Sequence, residues 1–231
     1  MDSIMVSDKA FKPYSRVKPL SSIKYQILFW LFMTGNVLGF VLEGLWCVIK
    51  AGHWEHHSAT IWGPFCIIYG IGAVSAFLIS QLLSGKHVLL QFGAFFFSGS
   101  LVEYFASLFQ ELYFGSVSWD YSGHFLNIGG RVSLQMALTW GILGVLFMRF
   151  LFPFLNRAFE KLNGKKGAQL CGILTVFMVI NLAATSVVVT RWQSRLDGTS
   201  PNNSIDRAID YIYGNEKMDR LFPNMMFTIV E

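Results

Sequence analysis

Charged residues are scarce in this sequence. Asp, Glu, Lys and Arg make up 14% of its 231 residues, whereas 53% of the residues are hydrophobic. A soluble globular domain usually has about 25% charged residues. The shortage of charge therefore excludes an ordinary soluble domain and indicates a membrane protein with one membrane domain. The net charge of +4 is modest, and the basic residues form no stripe with interleaved aromatics, which argues against nucleic-acid binding.

Cysteine is also rare. Cys47, Cys66 and Cys171 are an odd number, lie in apolar surroundings and form no Cys-x-x-Cys pair. This pattern argues against a disulfide framework and against a thiolate metal site. We expect all three cysteines to be small, buried hydrophobic residues.

Two common catalytic motifs are missing. The sequence has no Gly-x-Ser-x-Gly segment, and Gly85-Lys86 is followed by His87 without the upstream glycine of a phosphate-binding loop. Any role driven by ATP would therefore need a separate ATPase subunit. From these patterns we expect no catalytic residue, no metal and no cofactor.

Long apolar runs are what the chain does contain. A transmembrane helix needs about 20 apolar residues. Runs of that length occur at about 27–49, 62–83, 88–114, 132–152 and 168–190, and Pro153 is expected to end the fourth. The pattern predicts an all-α, polytopic membrane helical bundle with about five transmembrane helices.

The distribution of Lys and Arg predicts the orientation. Eleven of the eighteen lie in residues 1–24, the 84–87 turn and the 149–166 connector, which share one side of a five-span bundle. The positive-inside rule makes that side cytoplasmic. We therefore expect a basic cytoplasmic leader at 1–24, a transmembrane domain at 25–190 and a polar C-terminal tail at 191–231, with one short helix from Asp206 to Tyr213.

Two acids lie within the predicted spans. Gly35, Gly39, Glu43 and Cys47 recur every four residues in the first span, and so do Gly99, Glu103, Ser107 and Glu111 in the third. Small residues on a stripe let another helix approach, so each acid is turned towards protein. An intramembrane carboxylate is typical of a proton or cation site, and the alternative is a structural acid bonded to a neighbouring Tyr, Trp or Arg.

The two stripes also suggest an internal repeat. The segment 39–43 resembles 99–103, and each is followed by a Trp-containing loop, a glycine corner and another span. This similarity predicts a tandem repeat of two helical hairpins with the same orientation. Coincidence between two similar helices is the alternative.

Arg131 and Asp120 are candidate polar partners in the second loop. Arg131 follows two glycines, where the backbone can approach a ligand, so it is a candidate counter-ion for the acids or a clamp for an anionic group. Asp120 lies between Trp119 and Tyr121. Both residues also fit a membrane interface, where Arg reaches headgroups and aromatics form a belt.

The first loop is rich in histidine. His53, Glu55, His56 and His57 lie within five residues, and imidazoles with a carboxylate can share a divalent ion. Their spacing is not His-Glu-x-x-His. We therefore interpret the segment as a wetted interfacial loop.

Several motifs together resemble a known family. In chain order they are Glu43, Gly63-Pro64, Tyr69-Gly70, Glu103, Trp119-Asp120-Tyr121, Asn127, Gly130-Arg131 and Trp140-Gly141. They cover about residues 28–150 and resemble the ABC-transporter type IV, permease-like family of bacterial membrane proteins. The resemblance implies a multi-pass protein of the bacterial inner (cell) membrane, and the distribution of Lys and Arg places its N-terminus in the cytoplasm.

The sequence departs from the family pattern at two places. Ile67 stands where a proline is expected, and His57-Ser58-Ala59 replace a segment similar to Asn-Arg-Gly. Without that arginine, Glu43 loses one candidate partner, which directs attention to Arg131 and to the histidines.

These observations predict a transporter or permease component with intramembrane carboxylates at a substrate or proton site. The expected site residues are Glu43, Glu103, Arg131, Asp120, Tyr69 and Asn127, and the expected structural motif comprises Gly63, Pro64, Gly70, Trp119, Tyr121 and Gly130. Expected partners are the lipid bilayer and a separate ATPase subunit or other membrane protein. The alternatives are an intramembrane enzyme acting on a lipid or lipid-linked substrate, with Arg131 holding phosphate, and a non-transporting membrane partner or sensor.

Overall fold

A computed structural model of the protein describes residues 23–162 and 164–227. Most of the predicted leader therefore lies outside the described residues. The helices are α1 (Tyr25–Ala51), α2 (Ile67–Leu82), α3 (Val88–Phe114), α4 (Leu134–Leu146), α5 (Phe152–Lys161), α6 (Lys165–Leu196), α7 (Ser204–Ile212) and α8 (Asn215–Leu221). A π-helical turn, Phe147–Leu151, joins α4 to α5, and two short strands are β1 (Ser116–Val117) and β2 (Met226–Phe227).

Four helices of the described chain are long and apolar enough to cross a membrane. They are Tyr25–Ala51, Val88–Phe114, Leu134–Lys161 and Lys165–Leu196. The lipid-facing side of α3 shows why: its exposed residues at four-residue spacing include Phe97, Leu101, Phe105 and Phe109. Apolar side chains exposed along a whole helix face are stable in hydrocarbon rather than in water. The prediction of an all-α membrane bundle is confirmed.

The second predicted span is shorter than expected. Helix α2 has 16 residues, which is about 24 Å at 1.5 Å per residue and less than the ~30 Å hydrocarbon core. The predicted start at Trp62 is wrong, because Gly63 has a φ of 81°, which a helix does not allow. The chain reaches the helix through a non-helical segment fixed by Ser58, whose hydroxyl donates to the Gly63 carbonyl at 2.8 Å.

The predicted helix end at Pro153 is also wrong. The helix that begins at Leu134 continues to Lys161. Proline lacks an N–H donor and its ring clashes with the carbonyl four residues earlier. The wider π-helical turn directly before α5 accommodates both effects, with Pro153 in the first turn of α5.

Glycines bring the helices of each hairpin together. A Cβ added at Gly39 would overlap the Tyr69 ring of α2, and one added at Gly99 would overlap the Trp140 ring of α4. Each small stripe therefore receives a large aromatic side chain from the partner helix. Helix α1 packs against α2 and helix α3 against α4, which gives two helical hairpins, α1–α2 and α3–α4. The tandem repeat of these hairpins stays a prediction.

The bundle has two distinct ends. We call the end with the 52–66 and 115–133 segments the loop side. The end with residues 83–87, Leu162 and Gly164 is the turn side. An apolar cluster near the turn side joins α1, α2, α5 and α6 through Phe29, Leu31, Phe77, Phe152, Phe159 and Cys171. This cluster fixes the second hairpin and α6 against the first hairpin.

The C-terminal segment packs on the loop side. Residues 197–227, which we call the cap, pair with the second loop through β1 and β2, where Ser116 is opposite Phe227. Helix α6 continues past residue 190 to Leu196, and the predicted short helix corresponds to α7. The cap has its own apolar cluster with α6, containing Ile61, Val188, Val189, Trp192, Met218 and Phe222. Both loops and the cap therefore share one side, as the topology predicts.

Two arginines of α6 attach α7. Arg191 donates to both carboxylate oxygens of Asp210, at 2.9 and 2.6 Å, and Arg195 donates to one of them at 2.6 Å. The guanidinium hydrogen bonds, those of Arg191 first, lower the pKa of Asp210 below its ordinary value. This bidentate arrangement holds the cap in a defined position.

Candidate functional site

Glu43 points from α1 towards α2. Its carboxylate accepts a hydrogen bond from the Tyr69 hydroxyl at 2.5 Å, and its side chain is half-buried. Gly39 lies one turn earlier and makes room for the Tyr69 ring. The four-residue spacing thus places the acid beside the tyrosine that its own glycine accommodates.

Glu103 is more deeply enclosed. It is 3% exposed, and its two oxygens accept hydrogen bonds from the Tyr121 hydroxyl at 3.0 Å and from the Trp140 indole N–H at 3.3 Å. Tyr121 comes from the second loop and Trp140 from α4. Burial, with the Glu103 carboxylate beside it, raises the pKa of Tyr121 above its ordinary value, so this phenol stays protonated and donates.

The two acids are linked through their aromatic partners. The ring centroids of Tyr69 and Trp140 lie 5.4 Å apart. Contacts therefore run without a gap from Glu43 through Tyr69 and Trp140 to Glu103, and we call these four residues the acid bridge. The bridge connects the first hairpin to the second at the level of Gly39 and Gly99, where the two helices of each hairpin approach closely. We call these two close helix contacts the glycine seams.

An apolar cavity of about 430 Å³ lies next to the acid bridge. Helices α1 to α4 and the π-helical turn all contribute to its wall. Its lining includes Tyr69 and Trp140 but, among the described residues, neither Glu43 nor Glu103. The two aromatic rings thus separate the carboxylates from the cavity.

Arg131 has a different partner from the one we expected. It forms an ion pair with Glu111, and it donates to the Ser107 hydroxyl at 3.2 Å. These residues continue the α3 stripe towards the loop side, one and two turns beyond Glu103. The expectation that Arg131 is the counter-ion of Glu43 or Glu103 is therefore wrong. Arg131 lies just before α4 and forms its ion pair with Glu111, near the end of α3.

The other predicted polar residues hold the second loop. Asp120 is exposed and accepts hydrogen bonds from the Ser122 amide and hydroxyl at 2.8 and 2.9 Å, the amide bond being the first cause of a lowered pKa. Asn127 accepts from the Gly130 amide at 3.1 Å and donates to the Ser122 carbonyl. The Trp119 indole donates to the Arg131 carbonyl at 2.9 Å. These contacts position Tyr121 over Glu103.

The glycine–proline corner lies against α6. Gly63 adopts a left-handed conformation, and Pro64 is exposed. Asn181 of α6 holds the residue before the corner, because its side-chain amide donates to the Trp62 carbonyl at 2.7 Å. Gly70 lies against Asn36 of α1. The corner therefore fixes where α2 begins.

The sequence interpretation missed Asn181 and Thr185. Both are buried in α6, and Thr185 accepts a hydrogen bond from the Ile61 amide at 3.0 Å. The available signal was a pair of polar residues four apart in an otherwise apolar run.

A second polar cluster lies at the loop-side end of α1. The Cys47 sulfur is 3.0 Å from the Nε2 atom of His57, and the ligand atoms of Cys47, Glu55 and His57 all lie within 4.8 Å of one another. The expectation that Cys47 is a buried hydrophobic residue is wrong, since it is half-buried and contacts a histidine. Cys171 is buried as predicted, and Cys66 is half-buried.

Comparisons with known proteins add one finding. No curated protein matches the chain, and no solved structure matches it. One family model, described as "Putative ABC-transporter type IV", matches residues 30–186, which is more than half of the chain and includes the whole acid bridge. The helices suit a membrane protein, and the match agrees with the motif resemblance. The chain therefore belongs to this ABC-transporter type IV family.

Proposed function

We propose that the protein is a transporter or permease component in which the acid bridge binds a proton or a cation. The observation that carries the proposal is the link between the two hairpins: Glu43 and Glu103 come from different hairpins, and Tyr69 and Trp140 join them at 5.4 Å. A change in the charge of either acid therefore acts on the contact between the hairpins. Membership of the ABC-transporter type IV family supports the same reading.

The partners of the acids are uncharged. Phenol and indole groups donate hydrogen bonds to Glu43 and Glu103 but bring no positive charge. A carboxylate in hydrocarbon without a cationic partner is costly, and a bound proton or cation removes that cost. Arg131 forms its ion pair with Glu111 and therefore does not neutralise Glu43 or Glu103. The carboxylates of the acid bridge thus remain available to bind a cation.

The cavity supplies a place for an apolar substrate. A volume of about 430 Å³ lies within the ~300–1,000 Å³ typical of small-molecule sites. Tyr69 and Trp140 face both the cavity and the acids. A substrate in the cavity would contact the rings of Tyr69 and Trp140, which also donate hydrogen bonds to the two carboxylates. Substrate binding would thereby be coupled to the protonation or cation binding of Glu43 and Glu103.

Reconstituted vesicles test this function. Purified protein is placed in liposomes with an internal pH-sensitive dye, and a potassium diffusion potential drives proton uptake. We expect uptake above that of empty vesicles, at least about tenfold lower in Glu43→Gln and Glu103→Gln, and unchanged in Glu160→Gln, an exposed acid of α5. Uptake equal to wild type in Glu103→Gln, or equal to empty vesicles in wild type, would overturn the proposal.

We place the turn side in the cytoplasm of a bacterial cell, with the protein in the inner membrane. The turn side carries Lys86, Arg149, Arg157, Lys161, Lys165 and Lys166, and positive residues favour the cytoplasmic side. Membrane-impermeant labelling of single cysteines tests the orientation. A cysteine at Gly123 should be labelled in intact cells and one at Gly85 only after permeabilisation, and the opposite pattern would reverse the topology.

An ATPase partner is part of the proposal. The sequence contains no phosphate-binding loop, whereas the family is described by its ABC-transporter relationship. A separate ATPase subunit would bind on the turn side, where ATP is present. Mild-detergent purification of the tagged protein from its native cells should recover an ATP-hydrolysing subunit, and the absence of any ATPase activity in that preparation would remove this element.

A non-transporting partner or sensor is the second candidate function. It is favoured by one observation: each acid accepts a hydrogen bond from an aromatic side chain of the partner helix or the adjoining loop, as a purely structural acid would. Under this reading Glu43→Gln and Glu103→Gln would keep the fold and the cell phenotype, because a carboxamide oxygen still accepts these bonds.

A further inference from the structure

We propose that Cys47, Glu55 and His57 form a binding site for a divalent cation of the zinc class. The Cys47 Sγ atom lies 3.0 Å from His57 Nε2 and 3.8 Å from Glu55 Oε2, and the last two atoms are 3.7 Å apart. This site lies apart from the acid bridge, and the inference does not depend on the proposed transport function.

The triangle has the dimensions of one face of a tetrahedral site. Zinc binds sulfur at about 2.3 Å and nitrogen or oxygen at about 2.0–2.1 Å, so neighbouring ligand atoms lie roughly 3.3–3.6 Å apart. The three observed separations bracket that value and need shifts of only a few tenths of an ångström. The mixture of thiolate, imidazole and carboxylate favours zinc over magnesium or calcium, which prefer oxygen ligands alone.

The ligands are charge-matched to a divalent ion. On binding, the Cys47 thiol gives its proton to solvent and coordinates as a thiolate. Thiolate and carboxylate together carry two negative charges, and neutral His57 adds none, so the complex with a dication is neutral. Neutrality matters here because Cys47 is only half-exposed at the end of a membrane helix.

Neighbouring side chains orient the ligands. The side-chain amide nitrogen of Asn224, in the cap, lies 2.9 Å from the Nδ1 atom of His57. Exchanging the amide nitrogen and oxygen of Asn224 by a half-turn lets the oxygen accept the Nδ1 proton, which leaves Nε2 free for a metal. His53 contacts the second oxygen of Glu55 at 3.0 Å. It either orients the carboxylate or moves into the fourth position, which is otherwise open to water.

The site would connect three parts of the molecule. Cys47 belongs to the last turns of α1, Glu55 and His57 belong to the first loop, and Asn224 belongs to the cap. The loop is also tied to the cap where His56 meets the Leu221 carbonyl at 3.0 Å. A bound ion would therefore hold the end of α1, the first loop and the cap together, one helix turn from Glu43. The sequence did not predict this cluster, because Cys47 lies outside the histidine-rich 53–57 stretch.

Metal titration of the full chain in detergent is the first test. Chelator-stripped protein is titrated with Zn²⁺ against a chromophoric competitor, and with Co²⁺ while recording thiolate-to-cobalt charge-transfer absorbance. We expect one ion per chain and the charge-transfer band. Cys47→Ser and His57→Gln should weaken binding by more than about 100-fold, because losing a ligand exceeds the ~10–100-fold cost of losing an orienting partner. Cys66→Ser should bind as wild type.

Alkylation protection is the second test and does not require affinity data. In a Cys66→Ser, Cys171→Ser protein, Cys47 is the remaining cysteine. Zn²⁺ should slow its reaction with a maleimide at least about tenfold, and a chelator should restore the rate. Adding His57→Gln should abolish the protection while the bare alkylation rate shows that the protein is folded as before.

The possible outcomes of these tests distinguish a real metal site from its absence. Full-strength Zn²⁺ binding in Cys47→Ser, a missing charge-transfer band, or alkylation unaffected by Zn²⁺ would each overturn the site. A tenfold loss in His53→Gln would assign that residue an orienting role, and a loss equal to that of Cys47→Ser would make it the fourth ligand; both results support the site.

Discussion

The two hairpins carry the same pattern in different surroundings. In each, a glycine is followed four residues later by an acid. Glu43 is half-buried and receives one hydrogen bond, from Tyr69, whereas Glu103 is 3% exposed and receives two, from Tyr121 and Trp140. The spacing brings each acid to a helix seam, but the loop that follows decides how far the acid is enclosed.

The loops explain the difference. The second loop folds on itself through Asp120, Ser122 and Asn127 and thereby lowers Tyr121 onto Glu103. The first loop is bound to α6 and the cap, and Glu43 depends on a tyrosine of α2. The second loop also pairs with the cap, through β1 and β2, but it supplies the tyrosine that covers its own acid.

The largest expected effect concerns the glycine seams. Gly99→Leu should destabilise the fold by about 3 kcal/mol, the upper end of the usual cost of overpacking, because the new side chain overlaps the Trp140 ring. Gly39→Leu should cost a similar amount against Tyr69. Gly93→Leu is the matched control on the same helix, since nothing lies within 4 Å of a Cβ at Gly93. Unfolding in mixed micelles measures all three, and equal stability of Gly99→Leu and Gly93→Leu would refute the seam.

Removal of either acid should destabilise the hairpin to which it belongs. Glu103→Leu leaves two buried donors without an acceptor and should cost about 2 kcal/mol, whereas Glu43→Leu leaves one donor and should cost about 1 kcal/mol. The same micelle unfolding measures both. A larger loss for Glu43→Leu would mean that the first acid is the better enclosed one, contrary to its exposure.

A double-mutant cycle should show which acid Arg131 serves. Arg131→Gln combined with Glu111→Gln should give a coupling energy of about 1 kcal/mol, because the two side chains form an ion pair. Arg131→Gln combined with Glu103→Gln should give less than about 0.3 kcal/mol. The reverse order of couplings would restore Arg131 as the counter-ion of Glu103.

The smallest effect is local to the cap, which touches both loops. The lowered pKa of Asp210 means that its contribution to stability is present above the unfolded pKa of about 3.9 and is lost as the pH falls below it. We expect cap position to be constant from about pH 7 to 5 and to loosen below about pH 4.

Spin labels at Tyr211 and Leu126, both exposed, report the cap position. Asp210→Asn should broaden their distance distribution already at neutral pH, and the exposed Asp219→Asn should not. A narrow distribution in Asp210→Asn would contradict the role given to the Arg191 and Arg195 hydrogen bonds.

The sequence predicted the features that follow from short-range periodicity. Hydrophobic run length predicted the membrane helices, and four-residue spacing predicted that Glu43 and Glu103 lie on stripes with small residues. It misplaced the start of α2 and the end of the fourth span, because Gly63 and the π-helical turn act against the simple rules for helix breakers. Local hydropathy contains no information on such turns.

Long-range partners were the least predictable part. The Arg131–Glu111 ion pair, the Asn181 contact with Trp62 and the Cys47–His57 contact each join residues whose meeting depends on how helices and loops pack. The cap was expected to be a polar tail, because its apolar residues are spread over two short helices and a strand. Only the assembled bundle gives those residues a common surface.

The π-helical turn has a further consequence for the phase of its helix. Each residue turns an α-helix by about 100°, so one extra residue in a turn rotates every later side chain by that amount. Before the turn, Gly141 and Gly144 face the aromatic rings of α3. After it, Phe152 and Phe159 face the cluster shared with α1 and α6. One continuous helix thereby serves two cores that lie in different directions, which a helix of constant pitch would not reach.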